Sequence, residues 1–286
     1  MSRKLQVLAR GTAREEEPEV ASARSVMAPA ISMSDVQVVY RRGRDGRMVA
    51  LQETSLEVGP REFVSLLGPS GCGKTTLLKV IGGLISPSRG KVSVLGGSVD
   101  EALKGRKIGF VFQDANLLPW RTTWENARLL AEIIDKRSVD DERIRHLLDE
   151  VGLAGFSDAY PRQLSGGMKQ RVGIVRALAF NPGLLLMDEP FAALDALTRD
   201  RMAEMLLDVW GGARPVVFVT HSIEEAAFLS DRVVVMSARP GRVLEEIPID
   251  LPRPRTREMR DTPEFVQFRR RLRQVVDRAQ SEERGQ

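Results

Sequence analysis

Three short stretches of this chain have the residue types and spacing to handle phosphate. Gly68-Pro69-Ser70-Gly71-Cys72-Gly73-Lys74-Thr75 fits G-x-x-x-x-G-K-[ST]. In that pattern glycines let backbone N–H groups wrap phosphate oxygens, and the N-terminus of the following helix adds positive potential. Lys74 is placed to reach the β and γ phosphates of a nucleotide, and Thr75, followed by Thr76, to offer a hydroxyl to Mg²⁺. Leu164-Ser165-Gly166-Gly167-Met168-Lys169-Gln170-Arg171 opens a second helix with Ser-Gly-Gly, its serine 91 residues after Lys74. Met168 stands where a Glu or Gln would complete a capping box, so this helix end is open to an incoming anion. Finally, Leu184-Leu185-Leu186-Met187-Asp188-Glu189 is an apolar strand that ends on two carboxylates. Ligands of open α/β sheets bind at such strand ends, which makes Asp188 a candidate partner for Mg²⁺ and Glu189 a candidate general base for water.

The elements that must position these residues are legible from periodicity. "VQVVY" and "LQETSLEV" alternate apolar and polar residues, as half-buried antiparallel strands do. "EFVSLLG", the Gly-rich turn and "TTLLKVIGGL" form a strand, loop and helix, followed by strands at "KVSVLG" and "KIGFVFQ". Helical period then takes over, with a capping box at Thr122-x-x-Glu125 and an apolar face of Ile144, Leu147, Leu148 and Val151. Three more buried strands, "GLLLMD", "PVVFVT" and "RVVVMS", have helices between them. The expected fold is a parallel α/β core with an antiparallel β flank and a helical insertion at about 114–181. Residues 1–30 read as a mobile leader and 31–255 as the main domain. Residues 256–286 read as a basic amphipathic helix, capped by Thr262, begun at Pro263 and striped by Phe265, Phe268, Leu272, Val275 and Val276.

Composition narrows the class. The net charge of +4 is carried by residues 251–286, where ten Arg face six acidic residues, so the body is near neutral and nucleic-acid binding is not implied. Cys72 is the only cysteine, which leaves no disulfide framework and no cysteine metal site. The longest apolar runs fall short of the ~18 residues of a membrane span. Of the two histidines, His146 lies in a charged helix and reads as surface, whereas His221 follows the strand "VVFVT".

Taken together these motifs resemble the nucleotide-binding subunit of an ABC transporter over about residues 33–250, with the P-loop NTPase core that implies. The resemblance adds Gln113 after "IGFVF", Asp195 in "AALD" and Tyr40, 34 residues before Lys74. By resemblance ATP is held by residues 68–76 with Tyr40 stacked on adenine, and Mg²⁺ by Thr75, Asp188 and Gln113. Glu189 activates water, His221 holds the γ-phosphate, and Ser165, Gly166, Gly167 and Gln170 of one subunit cap the ATP of the other, with Asp195 at the seam of a homodimer. Gln113 also senses the transmembrane partner. Many members carry Gly where Ala192 stands, a departure that leaves Asp195 in place.

The short distance from Lys74 to Ser165 leaves no room for the coiled-coil insertion of chromosome-maintenance members. A single nucleotide domain differs from the paired domains of translation factors, and exporter halves usually bring membrane helices of their own. An importer motor remains, peripheral at the cytoplasmic face of the membrane. By the same resemblance the loop holding Leu117, Leu118, Pro119 and Trp120 receives the permease subunits, and an extracytoplasmic solute-binding protein serves the system indirectly. A soluble ABC ATPase acting on nucleic acid or ribosomes is the competing class. "SARPGRVLEEIPIDLPRPR", with "LPWRT", is similar to importers of nitrate, alkanesulfonates and taurine; related systems carry bicarbonate, phthalate or pyrimidine vitamin precursors. The terminal helix either packs on its own domain or serves a membrane-surface or regulatory role. If it is peripheral, cutting after residue 255 spares the ATPase.

Overall fold

The computed structural model describes residues 28–42, 46–137 and 139–284. Residues 1–27 of the expected leader therefore lie outside the described residues, while Ala30 is already buried and hydrogen-bonded to Val58.

Strands β1 (Ile31–Arg42) and β2 (Gly46–Val58) pair antiparallel, as their alternation requires. They join β4 (Arg89–Val94) and β5 (Gly97–Ser98) in a four-stranded sheet ordered β2-β1-β4-β5. The second sheet has six strands. β3 (Phe63–Leu67), β6 (Ile108–Val111), β7 (Leu184–Asp188), β8 (Val216–Val219) and β9 (Arg232–Met236) run parallel in it, and β10 (Val243–Pro248) closes one edge antiparallel. β3, β7 and β8 are buried at every position, because helices cover both faces of a parallel sheet. β10 was not foreseen; its "VLEEIP" has too few buried positions to stand out as a strand.

α1 (Lys74–Ile81) follows the Gly-rich turn and α2 (Val99–Lys104) follows β5. The insertion is built from α3 (Thr123–Asp135), α4 (Asp141–Glu150) and α5 (Gly166–Ala179). The expected capping box is present, with Thr122 Oγ1 accepting from Glu125 N–H and Glu125 accepting from Thr122 N–H. α6 (Ala196–Trp210) and α7 (Ile223–Leu229) connect the late strands.

α8 (Pro263–Arg284) ends the chain, with Thr262 Oγ1 accepting from Phe265 N–H. It is not peripheral. Phe265, Leu272 and Val275 are buried in the same apolar cluster as Phe63, Phe218 and Phe228. Each such side chain contributes about 1.5–3 kcal/mol by burial, so losing the helix would remove a large share of a marginal stability. The condition under which cutting after residue 255 would spare the ATPase, a peripheral helix, is therefore not met. Residue 256 marks a change of element, not the edge of a separate core. The segment leading into α8 is held by Arg255, which donates to the carbonyls of Ala227, Phe228, Ser230, Ile249 and Leu251. Burial lowers its pKa to about 10, so it stays charged at neutral pH.

Candidate active site

The parallel register brings the C-terminal ends of β3, β7 and β8 side by side, and the chemistry gathers there. After β3 the chain turns at Gly73, whose φ of +101° suits glycine. A Cβ at Gly73 would lie 2.7 Å from Leu51 Cδ2 and 2.9 Å from Ala50 O, so the loop can press against β2 only without a side chain. Gly73 caps α1 without any side-chain bond, and the first turn carries no acid, which leaves the helix N–H groups and their positive end facing outward.

Lys74, nearly buried, donates to Gly68 O at 2.8 Å and Pro69 O at 2.9 Å, with Cys72 Sγ at 3.7 Å. These bonds lay the ammonium along the loop, within reach of an anion held by the same loop. Cys72 is buried beneath it. A cavity of about 240 Å³ opens over the turn, lined by Ser70, Gly71, Gly73, Lys74, Thr75 and Thr76 on the floor. Tyr40, Met48, Ala50 and Glu189 also line it. Tyr40 is half-buried, its hydroxyl 3.4 Å from Thr76 Oγ1, and it borders the cavity.

Across the sheet, Thr75 Oγ1 donates to Asp188 Oδ1 at 2.9 Å, joining residues 113 positions apart. Burial pushes the Asp188 carboxyl up from its ordinary value, the Thr75 bond pulls it down and Glu189 beside it adds to the rise. A hydroxyl and a carboxylate oxygen beside a phosphate-sized cradle make a hard donor pair that fits Mg²⁺, which binds through one or two carboxylates plus substrate phosphates.

Glu189 lies in the left-handed region at φ +45°, a conformation that costs about 1–3 kcal/mol for a non-glycine residue and persists where surroundings enforce it. They do: Glu189 N–H donates to Val219 O at 3.0 Å, and Ala192 N–H donates to Glu189 O at 3.1 Å. The bend carries its carboxylate to within 3.1 Å of His221 Nδ1. Behind His221, Thr220 Oγ1 donates to buried Glu225 and accepts from Ser222 N–H, which fixes the turn that presents the ring.

The Ser-Gly-Gly turn stands elsewhere. Ser165 Oγ caps α5 by accepting from Met168 N–H at 3.2 Å, Gly166 has nothing within 4 Å of where a Cβ would sit, and none of the three lines the cavity. Asp195 caps α6, exposed, its carboxyl held below the ordinary range chiefly by the Thr198 backbone N–H.

A family model described as ABC transporter matches residues 51–192. The taurine import ATP-binding protein of Rhizobium johnstonii is 45% identical over 246 residues, covering 83% of this chain and 93% of that protein. The chain belongs to the ABC transporter ATP-binding family. The aliphatic sulfonates import ATP-binding protein of Bacillus cereus is 38% identical over 248 residues, covering 86% of this chain and 96% of that protein. The nitrate import ATP-binding protein of Synechococcus elongatus is 44% identical over 255 residues, 86% of this chain but 38% of that longer protein. The solved dimer of an ATP-binding cassette in a post-hydrolysis state, bound to ADP and Pi, matches at a TM-score of 0.69 and 34% identity, covering 78% of this chain and 100% of that one.

This ABC ATPase hydrolyses ATP on a P-loop core, and its structure corrects two sequence expectations. Gln113 does not end a strand: β6 stops at Val111 and Gln113 is exposed in the turn beyond, outside the cavity lining. Gln170 is turned inward. It is 2% exposed, and its Nε2 donates to Phe112 O at 2.9 Å, tying α5 to the turn that carries Gln113.

One residue of the ABC ATPase site was missed. Arg239, in the loop after β9, lines the cavity and donates through Nε and Nη2 to Gly71 O, both at 3.2 Å. That loop is clamped to β2, with Gly241 N–H donating to Ala50 O at 3.0 Å and Gln52 N–H to Gly241 O at 2.9 Å. An arginine just beyond a parallel strand that adjoins β3 was the available signal, because such loops open at the ligand edge. Replacing Arg239 with Ala is expected to raise KM for ATP by about three- to tenfold with kcat little changed, as loss of uniform binding does. Steady-state kinetics check this; an unchanged KM would restrict Arg239 to holding the loop.

Proposed function

We propose that this ABC ATPase is the motor of an importer for small, mostly anionic solutes, with alkanesulfonate, nitrate or taurine as cargo. The observation that carries this reading is similarity over most of both chains to taurine and sulfonate import ATP-binding proteins, joined by the nitrate relative. No helix among the described residues is long and apolar enough to cross a membrane; in the proposed importer a permease supplies the path. The ATPase then sits peripherally on the cytoplasmic face, and the solute-binding protein acts on the far side.

A docking platform supports the permease partner. Trp120 is 70% exposed at the tip of the segment after β6, whereas Leu117 packs inward. Buried Asn126 fixes the tip: its Oδ1 accepts from Leu118 N–H, and its Nδ2 donates to the carbonyls of Leu118, Arg121 and Thr122. Arg176 of α5 donates to Ala115 O and Asn116 O. With Gln170 on Phe112, α5 thus grips the segment on both sides of Gln113. A displacement of the helix that begins at Ser165 is therefore passed to the surface around Trp120.

In the proposed cycle residues 68–76 of one subunit bind the triphosphate, and the Ser165-Gly166-Gly167 turn of its partner closes over it in a homodimer. Thr75 and Asp188, with Gln113, would hold Mg²⁺, which would supply charge neutralisation to the bound triphosphate. Glu189 takes a proton from the attacking water while His221 orients that carboxylate and faces the γ-phosphate. Asp195 lies at the seam. Tighter binding of ATP by the closed state supplies the work. A strain lacking this gene is expected to lose growth on alkanesulfonate or taurine as sole sulfur source, or on nitrate as sole nitrogen source. The wild-type gene should restore it. Unimpaired growth on all three would overturn the cargo assignment and leave the ATPase untouched.

A further inference from the structure

Between α8 and the start of α7 the surface opens into a cleft of about 680 Å³, separate from the nucleotide cavity. Four arginines line it, Arg199, Arg269, Arg270 and Arg273, against two carboxylates, Glu224 and Asp277. Two of the arginines are engaged. Arg269 pairs with Glu224 at 3.0 Å, and Arg199 pairs with Glu225 at 3.4 Å while donating to Leu194 O. Arg270 and Arg273 form no ion pair among the described residues.

These two guanidiniums are three residues apart on one helix, where like charges face each other and repel. An anion between them reverses that sign. Guanidinium presents paired N–H donors to an oxyanion, a bidentate match that a lone ammonium cannot make. The cleft also shares a wall with the active site: His221 lines it, and the same ring bonds Glu189, which lines the nucleotide cavity.

We propose that this cleft binds a tetrahedral oxyanion of the phosphate or sulfate class, and that its occupation is felt by hydrolysis through His221. Arg270 and Arg273 hold the anion, and Arg269 and Arg199 add positive potential without leaving their partners. The second half rests on the roles given to Glu189 and His221; the first half does not. Because the anion sits outside the nucleotide cavity, it changes kcat without competing with ATP, whereas phosphate at the P-loop raises KM.

Calorimetry with inorganic phosphate at constant ionic strength, on the Lys74→Ala protein, reads the cleft with the P-loop weakened. Saturable binding is expected, falling at least about tenfold on adding Arg270→Ala and Arg273→Ala, the equivalent of about 1.4 kcal/mol. Replacing both by Lys should retain part of it. Both positions are exposed, so matching melting curves confirm that the fold is intact. In the otherwise wild-type enzyme, Arg270→Ala with Arg273→Ala should keep basal kcat and the phosphate effect on KM, and lose the phosphate effect on kcat. Sulfate binding as well as phosphate assigns the site to free oxyanions generally; phosphate alone assigns it to the product of hydrolysis. Absence of saturable binding, or binding indifferent to both arginines, overturns the site. Binding with no effect on kcat overturns the regulation alone, and leaves the Glu189 reading to its own test.

Discussion

Glu189→Gln protein is expected to bind ATP, to form an ATP-dependent dimer and to turn over at least about a hundredfold more slowly than wild type, the lower range for loss of a general base. The substitution keeps size and hydrogen-bonding reach, so the strained bend at φ +45° and the bonds to Val219 and Ala192 are undisturbed. What changes is that an amide cannot accept a proton from water. The neighbouring pair Thr75–Asp188, 2.9 Å apart, is untouched, so nucleotide and Mg²⁺ should still bind. Size-exclusion chromatography with ATP and single-turnover kinetics measure the two halves separately. Full turnover would remove Glu189 from its role.

Gly166→Asp should separate the fold of one subunit from the assembly of two. Nothing lies within 4 Å of a Cβ at Gly166, so the side chain has space, and α5 begins there. A carboxylate in the first turn of that 14-residue helix favours the isolated subunit by about 0.3–1 kcal/mol through the helix dipole. Against a triphosphate presented by a partner subunit the same charge is repulsive, at a cost of several kcal/mol. The isolated variant should therefore melt no lower than wild type and bind ATP with unchanged affinity. It should lose both ATP-driven dimerisation and hydrolysis. A parallel loss of ATP affinity in the monomer would mean that the turn contacts nucleotide within its own chain.

What the sequence by itself determined were the features contained in one contiguous segment. The Gly-rich turn with its strand and helix, the strand ending at Asp188, the capping box at Thr122 and the apolar stripe of α8 each follow from neighbours a few residues apart, where spacing dictates geometry. Motif order and resemblance extended that to ATP and to an ABC fold. The tertiary structure decided whatever joins distant segments. Gln170 could not be assigned a direction, because its helical face is chosen by what packs on α5, and Phe112 O claims it from 58 positions away. Arg239 acquires its place only when β9 lies beside β3 and the loop beyond meets Gly71, 168 positions away. The same applies to α8: its stripe was readable, but that it shares the ATPase core and leaves an arginine-lined cleft beside His221 depends on which surface it buries. Local spacing encodes what a segment can be, and long-range burial and pairing choose which of its faces meets the chemistry.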